Sequence, residues 1–94
     1  MKKGLFIPDE ILDIEGLSDD EYFVISVYWN YTVYIDQHYC TLTDKEVCRK
    51  ARIKDERKLQ RIKKHLNELG LIGTDGIKVY YIGDNRGDKN DILV

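Results

Sequence analysis

Arg57, Gln60, Arg61 and Lys64 are the side chains whose types and spacing point to chemistry. They recur at three- and four-residue steps, so a helix would gather them on one face. A guanidinium can donate to two acceptors at once, the arrangement that guanine O6 and N7 present in a major groove. A glutamine amide can donate to N7 and accept from N6 of adenine. These four residues are therefore the base-reading candidates. At about 100° per residue, the opposite side of the same wheel carries Leu59, Ile62, Leu66 and Leu69, a stripe suited to a core.

Further cations surround this face. Lys58 and Lys63 lie on its flanks with His65, and Lys45, Arg49, Arg52 and Lys54 precede it. Lys78 follows on a later segment. These seven Lys and Arg residues are phosphate candidates, since phosphate contacts set register while base edges carry sequence information. Residues 43–65 hold ten Lys or Arg against four acids, a balance of +6, whereas residues 1–42 carry two Lys against eight acids, or −6. The formal net charge of −2 thus conceals a polarised chain. A basic helix face alone is often just a solvated face. If about six of these cations meet phosphates, log K against log salt should slope near −5.

The elements that must hold these residues can be read from their caps. Thr43 precedes Glu46 by three residues, the spacing of a reciprocal capping box. Val47, Cys48 and Ala51 then give a small apolar face, which predicts a short helix over 44–51. Asp55 suits the N-cap of the basic helix, and Gly70 the left-handed position past its end. The chain between them, Arg52-Ile53-Lys54-Asp55, contains no glycine.

Upstream, Pro8 can open a short helix with Asp9 and Glu10 in its first turn, buried through Ile11, Leu12 and Ile14 and ended by Gly16. Ser18 and Glu21 form a second capping box, opening a helix expected to reach about Tyr34. Apolar and aromatic residues from Tyr22 to Tyr34 surround that helix, so it must be buried on all sides or covered by a partner. Two readings stand: the segment Pro8 to Ile14 and the C-terminal tail wrap it, or its aromatic face is a homodimer contact. Residues 31–35 also permit a strand. Tyr39 to Leu42 reads as a short strand. After the basic helix, Asp75-Gly76 lies between two β-prone runs, predicting a hairpin whose two central residues both have positive φ. Residues 83–94 are mostly polar and read as a tail.

Ninety-four residues suit one domain with a modest core. The run Tyr22 to Ile35 is too short and too polar to span a bilayer, so no membrane partner is expected. The first residues lack the pattern of a secretion signal, and two cysteines without export features point to free thiols in the cytoplasm. His38, Cys40, Cys48 and His65 show no zinc-motif spacing, so neither metal nor cofactor is expected. Asp19-Asp20-Glu21 is explained by the helix dipole. Arg86-Gly87-Asp88 spells an adhesion tripeptide, which carries no weight without export. With no phosphate loop, nucleophile elbow or His-Glu metal motif, neither an enzyme nor a small-molecule ligand is expected.

The order helix, helix, strand, helix, helix, hairpin defines a mainly α fold with a small β-hairpin wing (α+β), the winged helix-turn-helix. Over residues 5–82 the chain resembles the winged-helix domains of phage and plasmid replication-initiation proteins, the replisome-organiser and DnaD-like N-terminal type. The carriers are Ile7-Pro8-Asp9-Glu10-Ile11-Leu12, Leu17-Ser18, Leu42-Thr43-Asp44-Lys45-Glu46-Val47 and Leu66-Asn67-Glu68-Leu69-Gly70-Leu71-Ile72. The resemblance implies double-stranded DNA binding in replication initiation or transcriptional regulation of a mobile element. The alternative expectation is a winged-helix interaction or oligomerisation module that does not itself bind DNA.

Overall fold

A computed structural model of the chain describes residues 6–83. Among these residues lie four helices and one two-stranded antiparallel hairpin: α1 (Asp9–Leu12), α2 (Asp19–Asn30), α3 (Asp44–Ala51), α4 (Glu56–Glu68), β1 (Ile72–Asp75) and β2 (Lys78–Tyr81). The fold is thus mainly helical, with a small β element. The expected polar tail lies outside the described residues apart from Gly83. No helix among the described residues is long and apolar enough to cross a membrane.

Each longer helix starts where its sequence says it should. The Glu21 N–H donates to Ser18 Oγ (3.2 Å) and the Ser18 N–H to Glu21 Oε1 (2.9 Å), which opens α2. Thr43 and Glu46 repeat that geometry at the start of α3, at 3.2 and 2.9 Å. Asp55 Oδ1 accepts from the Arg57 N–H (2.8 Å) and caps α4. Each box satisfies two of the backbone donors that a helix start leaves without partners.

The apolar envelope of α2 is explained by its position. It packs against α1, α3, α4 and β2, so its residues Val24 to Trp29 are all buried. Intrachain cover therefore accounts for most of the face that a dimer contact could have claimed. Two buried hydroxyls turn back onto the helix backbone: Ser26 Oγ donates to the Tyr22 carbonyl (2.6 Å) and Thr32 Oγ1, just past the helix end, to that of Tyr28 (2.7 Å). The Tyr28 hydroxyl and Trp29 Nε1 are buried without a hydrogen-bond partner among the described residues.

The structure corrects the expected end of α2. The helix stops at Asn30 rather than Tyr34, and residues 31–36 form successive turns instead of a strand. The Asn30 amide bonds back to the Ser26 carbonyl (2.7 Å) and sideways to that of Phe6 (2.6 Å). Beyond it the Tyr34 N–H reaches the Trp29 carbonyl (3.2 Å), a five-residue step that breaks the α ladder. Asp36, at φ 58°, closes the segment.

Two β expectations also change. The strand over Tyr39 to Leu42 shrinks to one bridge, with the Cys40 N–H donating to the Val79 carbonyl (2.8 Å), because the Thr43 cap follows at once. The hairpin turn is centred on Gly76 and Ile77, not Asp75 and Gly76, since Asp75 pairs with Lys78. Only Gly76 has positive φ (65°), the pattern of a type II′ turn, which spares the β-branched Ile77 from a left-handed conformation. This register sets Asp75 opposite Lys78 and Tyr80 opposite Gly73. The Tyr80 ring then covers the glycine, where an added Cβ would lie 2.3 Å from its Cζ.

The core joins Ile11 and Ile14 to α2, to Val47, Cys48 and Ala51 of α3, to Leu59, Ile62 and Leu66 of α4, and to Ile72 and Val79 of the hairpin. Both cysteines are free and buried. Burial pushes both thiols upward, in keeping with their packing as small apolar groups.

Candidate nucleic-acid interface

One buried stripe fixes how α4 is rotated. Leu59, Ile62 and Leu66 are buried, and Leu69 is half-buried just past the helix end. The opposite face must then point outward. Arg57, Gln60, Arg61 and Lys64 are all exposed there.

The link into α4 solves the missing glycine in an unexpected way. Arg52 adopts the left-handed conformation (φ 60°, ψ 40°) after the last residue of α3. The Ile53 N–H returns to the Cys48 carbonyl (2.8 Å), and the Arg52 N–H to that of Arg49 (3.4 Å). These two bonds make a Schellman motif with arginine at the position glycine usually takes. Ile53 is buried and anchors the turn. Arg52 and Lys54, on either side, stay exposed.

Carboxylates from neighbouring helices grip α4 on both flanks. On one side, Lys58 Nζ lies 2.5 Å from Asp20 Oδ2, and His65 Nδ1 contacts Glu21 Oε2. Partial burial pushes the Glu21 carboxyl upward. The Ser18 N–H and His65 outweigh it, and the net shift is downward. On the other side, Asp44 of α3 accepts from two residues. Its Oδ2 takes the Gln60 Nε2 donor (2.8 Å) and its Oδ1 takes Lys63 Nζ (3.1 Å). The Lys63 side chain is only 15% exposed.

The stripe between the flanks has a different character. The side chains of Arg57, Arg61 and Lys64 form no hydrogen bond or ion pair with the described residues, the one Asp55 contact of Arg57 being to its backbone N–H. Spaced by four and three residues, they make one exposed cationic line along the helix. Beside its C-terminal half an open groove runs toward the hairpin, lined by Lys64, Asn67, Thr74 and Gly76 among others.

The remaining candidates fall around this line. Lys45 and Arg49 are exposed on α3. Lys78 is exposed on β2, its Nζ 5.0 Å from the centre of the Tyr39 ring. His38 stacks on Tyr80 at 5.4 Å between ring centres. Lys58 and Lys63, two of the phosphate candidates, each pair with a carboxylate, and Gln60 donates to one. Sequence reasoning missed Asp20, Glu21 and Asp44 as partners of the basic helix. All three sit in first helical turns, where the dipole already explains an acid.

No family model, curated protein or solved structure matches the chain.

Proposed function

We propose that the chain binds double-stranded DNA as a winged helix-turn-helix, with α4 in the major groove and the β1–β2 hairpin as the wing. The observation that carries this reading is the line of Arg57, Arg61 and Lys64, exposed and unclaimed by neighbouring carboxylates while both flanks of the same helix are clamped. An outward helix face with two guanidiniums and an ammonium suits guanine edges and phosphates. Lys45, Arg49, Arg52 and Lys54 would meet backbone on one side of the groove, and Lys78 on the other. Replication initiation or transcriptional regulation of a phage or plasmid element is the process suggested by the sequence resemblance. The test is a gel shift on random duplex at low salt: Arg57→Ala, Arg61→Ala and Lys64→Ala together should abolish binding, and unchanged binding would refute the site.

A second reading, an interaction module, is favoured by one feature. Phe6, Val33, Tyr34 and Ile35 are exposed at the end of α2, and the Phe6, Trp29 and Tyr34 rings cluster with centres 5.6 to 6.1 Å apart. Light scattering that shows a dimer, together with no gel shift at micromolar protein, would support it. A dimer that also shifts DNA would satisfy both readings.

A further inference from the structure

Asp44 contacts two candidate DNA-binding residues at once, and the chemistry of that contact restricts what one of them can read. An ionised carboxylate has acceptors only. The end of the Gln60 amide that faces Asp44 Oδ2 at 2.8 Å must therefore be the nitrogen. Rotating the amide by half a turn would set two acceptor oxygens against each other. Lys63 Nζ, 3.1 Å from the other oxygen, holds the carboxylate in turn. Both bonds cross between helices, from the first residue of α3 to the middle of α4, so the packing of the two helices brings these groups within reach of one another.

One N–H of Gln60 is spent on Asp44. With Asp44 on the N–H that points away from Oε1, the second N–H and Oε1 share one edge of the amide plane, one donor beside one acceptor. Adenine matches that edge with N7 as acceptor and N6 as donor. Guanine presents two acceptors there, so its O6 would oppose the amide oxygen. Thymine offers O4 without a neighbouring donor, and cytosine offers N4 without a neighbouring acceptor.

We propose that Asp44 is a positioning residue that sets Gln60 to read adenine, and that Lys63 serves by steadying Asp44 instead of contacting phosphate. This rests on the DNA-binding reading above and specifies what that site recognises. Its negative charge beside the cationic line also disfavours random phosphate contact. Loss of Asp44 should therefore lower selectivity while leaving general affinity equal or higher.

The experiment is binding selection by the full chain from a random duplex pool, followed by affinity measurements on the selected duplex and its single-base variants. The wild-type pool should hold one adenine whose replacement weakens binding on the order of tenfold to a hundredfold. Gln60→Ala should erase that preference and spare the others. Asp44→Ala should reduce it to a few-fold at the same position, with random-duplex binding unchanged or tighter. Lys63→Met should give a smaller loss at that position, which tests the same network without altering α3. A merely structural role would weaken binding to all sequences alike.

Failure can be located. Duplex binding with no adenine preference, or a preference that Gln60→Ala leaves intact, would overturn the adenine assignment and spare the DNA-binding reading. Full discrimination retained in both Asp44→Ala and Lys63→Met would remove the positioning role alone. No binding of any duplex by the wild type would overturn the functional reading and this inference together.

Discussion

Arg52 and Gly70 hold equivalent stations at the ends of successive helices. Both are left-handed, at φ 60° and 78°. Each precedes a residue whose N–H returns to a carbonyl five positions earlier, Ile53 to Cys48 and Leu71 to Leu66, at 2.8 and 3.0 Å. One helix end uses a residue suited to that conformation, and the other uses a cation that is strained by it.

Arg52→Gly should therefore stabilise the fold. Relief of the left-handed strain outweighs the greater freedom of glycine in the unfolded chain by about 0.5–1 kcal/mol. The shift should appear as a higher urea midpoint at an unchanged m-value. If Arg52 also meets a phosphate, the same variant should lose DNA affinity and reduce the salt slope by about one unit. A variant that is more stable yet binds more weakly would show that arginine is kept here for contact and not for the turn.

The Arg57→Ala, Arg61→Ala and Lys64→Ala variant should separate function from folding. All three side chains are exposed and unpartnered among the described residues, so the unfolding free energy should move by no more than about 0.5 kcal/mol per site. DNA affinity should collapse. Any residual binding should keep a salt slope that is shallower by about one unit for each of the three that also meets a phosphate. By contrast, Leu66→Ala, at a fully buried core position, should cost about 2–5 kcal/mol.

Acid should destabilise the protein through its two capping boxes. The Thr43 N–H holds the Glu46 carboxyl below its ordinary value of 4.5. Glu21 is also lowered from 4.5, because the Ser18 N–H and His65 together outweigh its desolvation. For a carboxyl depressed in the folded state, the unfolded chain binds the proton more readily. The stabilisation is complete above the unfolded value and is lost as pH falls below about 4.5 through the folded one. Urea unfolding between pH 6 and pH 3 should show this decline, and Glu21→Gln with Glu46→Gln should flatten it. An unchanged acid limb in that double variant would exclude the capping carboxylates as its source.

Gly73→Ala should disrupt the hairpin, because the new Cβ would meet the Tyr80 ring at 2.3 Å. Displacing that ring also disturbs its stack on His38. The cost should be about 1–3 kcal/mol by thermal or urea unfolding. Removing the ring relieves the clash, so Gly73→Ala combined with Tyr80→Ala should cost less than the two single changes added together. Strict additivity would show that the ring and the glycine do not interact.

Several features of this chain were legible without coordinates because they depend on residues at most four apart. The Ser18–Glu21 and Thr43–Glu46 boxes, the Asp55 cap and the Gly70 stop all form as read. The leucine stripe of α4 likewise implied that Arg57, Gln60, Arg61 and Lys64 face outward, and they do. Local geometry and side-chain period carry that information within a single element.

Tertiary structure decided the rest. Which cations stay unclaimed depends on pairs far apart in the chain: Asp44 with Gln60 and Lys63 at separations of 16 and 19, and Glu21 with His65 at 44. No local period encodes such contacts, because they follow from how α2 and α3 cross α4. The hairpin register was likewise settled across strands, by Tyr80 meeting Gly73 and Asp75 meeting Lys78. The cover over the aromatic residues of α2 required every neighbouring element to be in place. A helix wheel tells which way a charge points, but only packing brings the opposite charge to meet it.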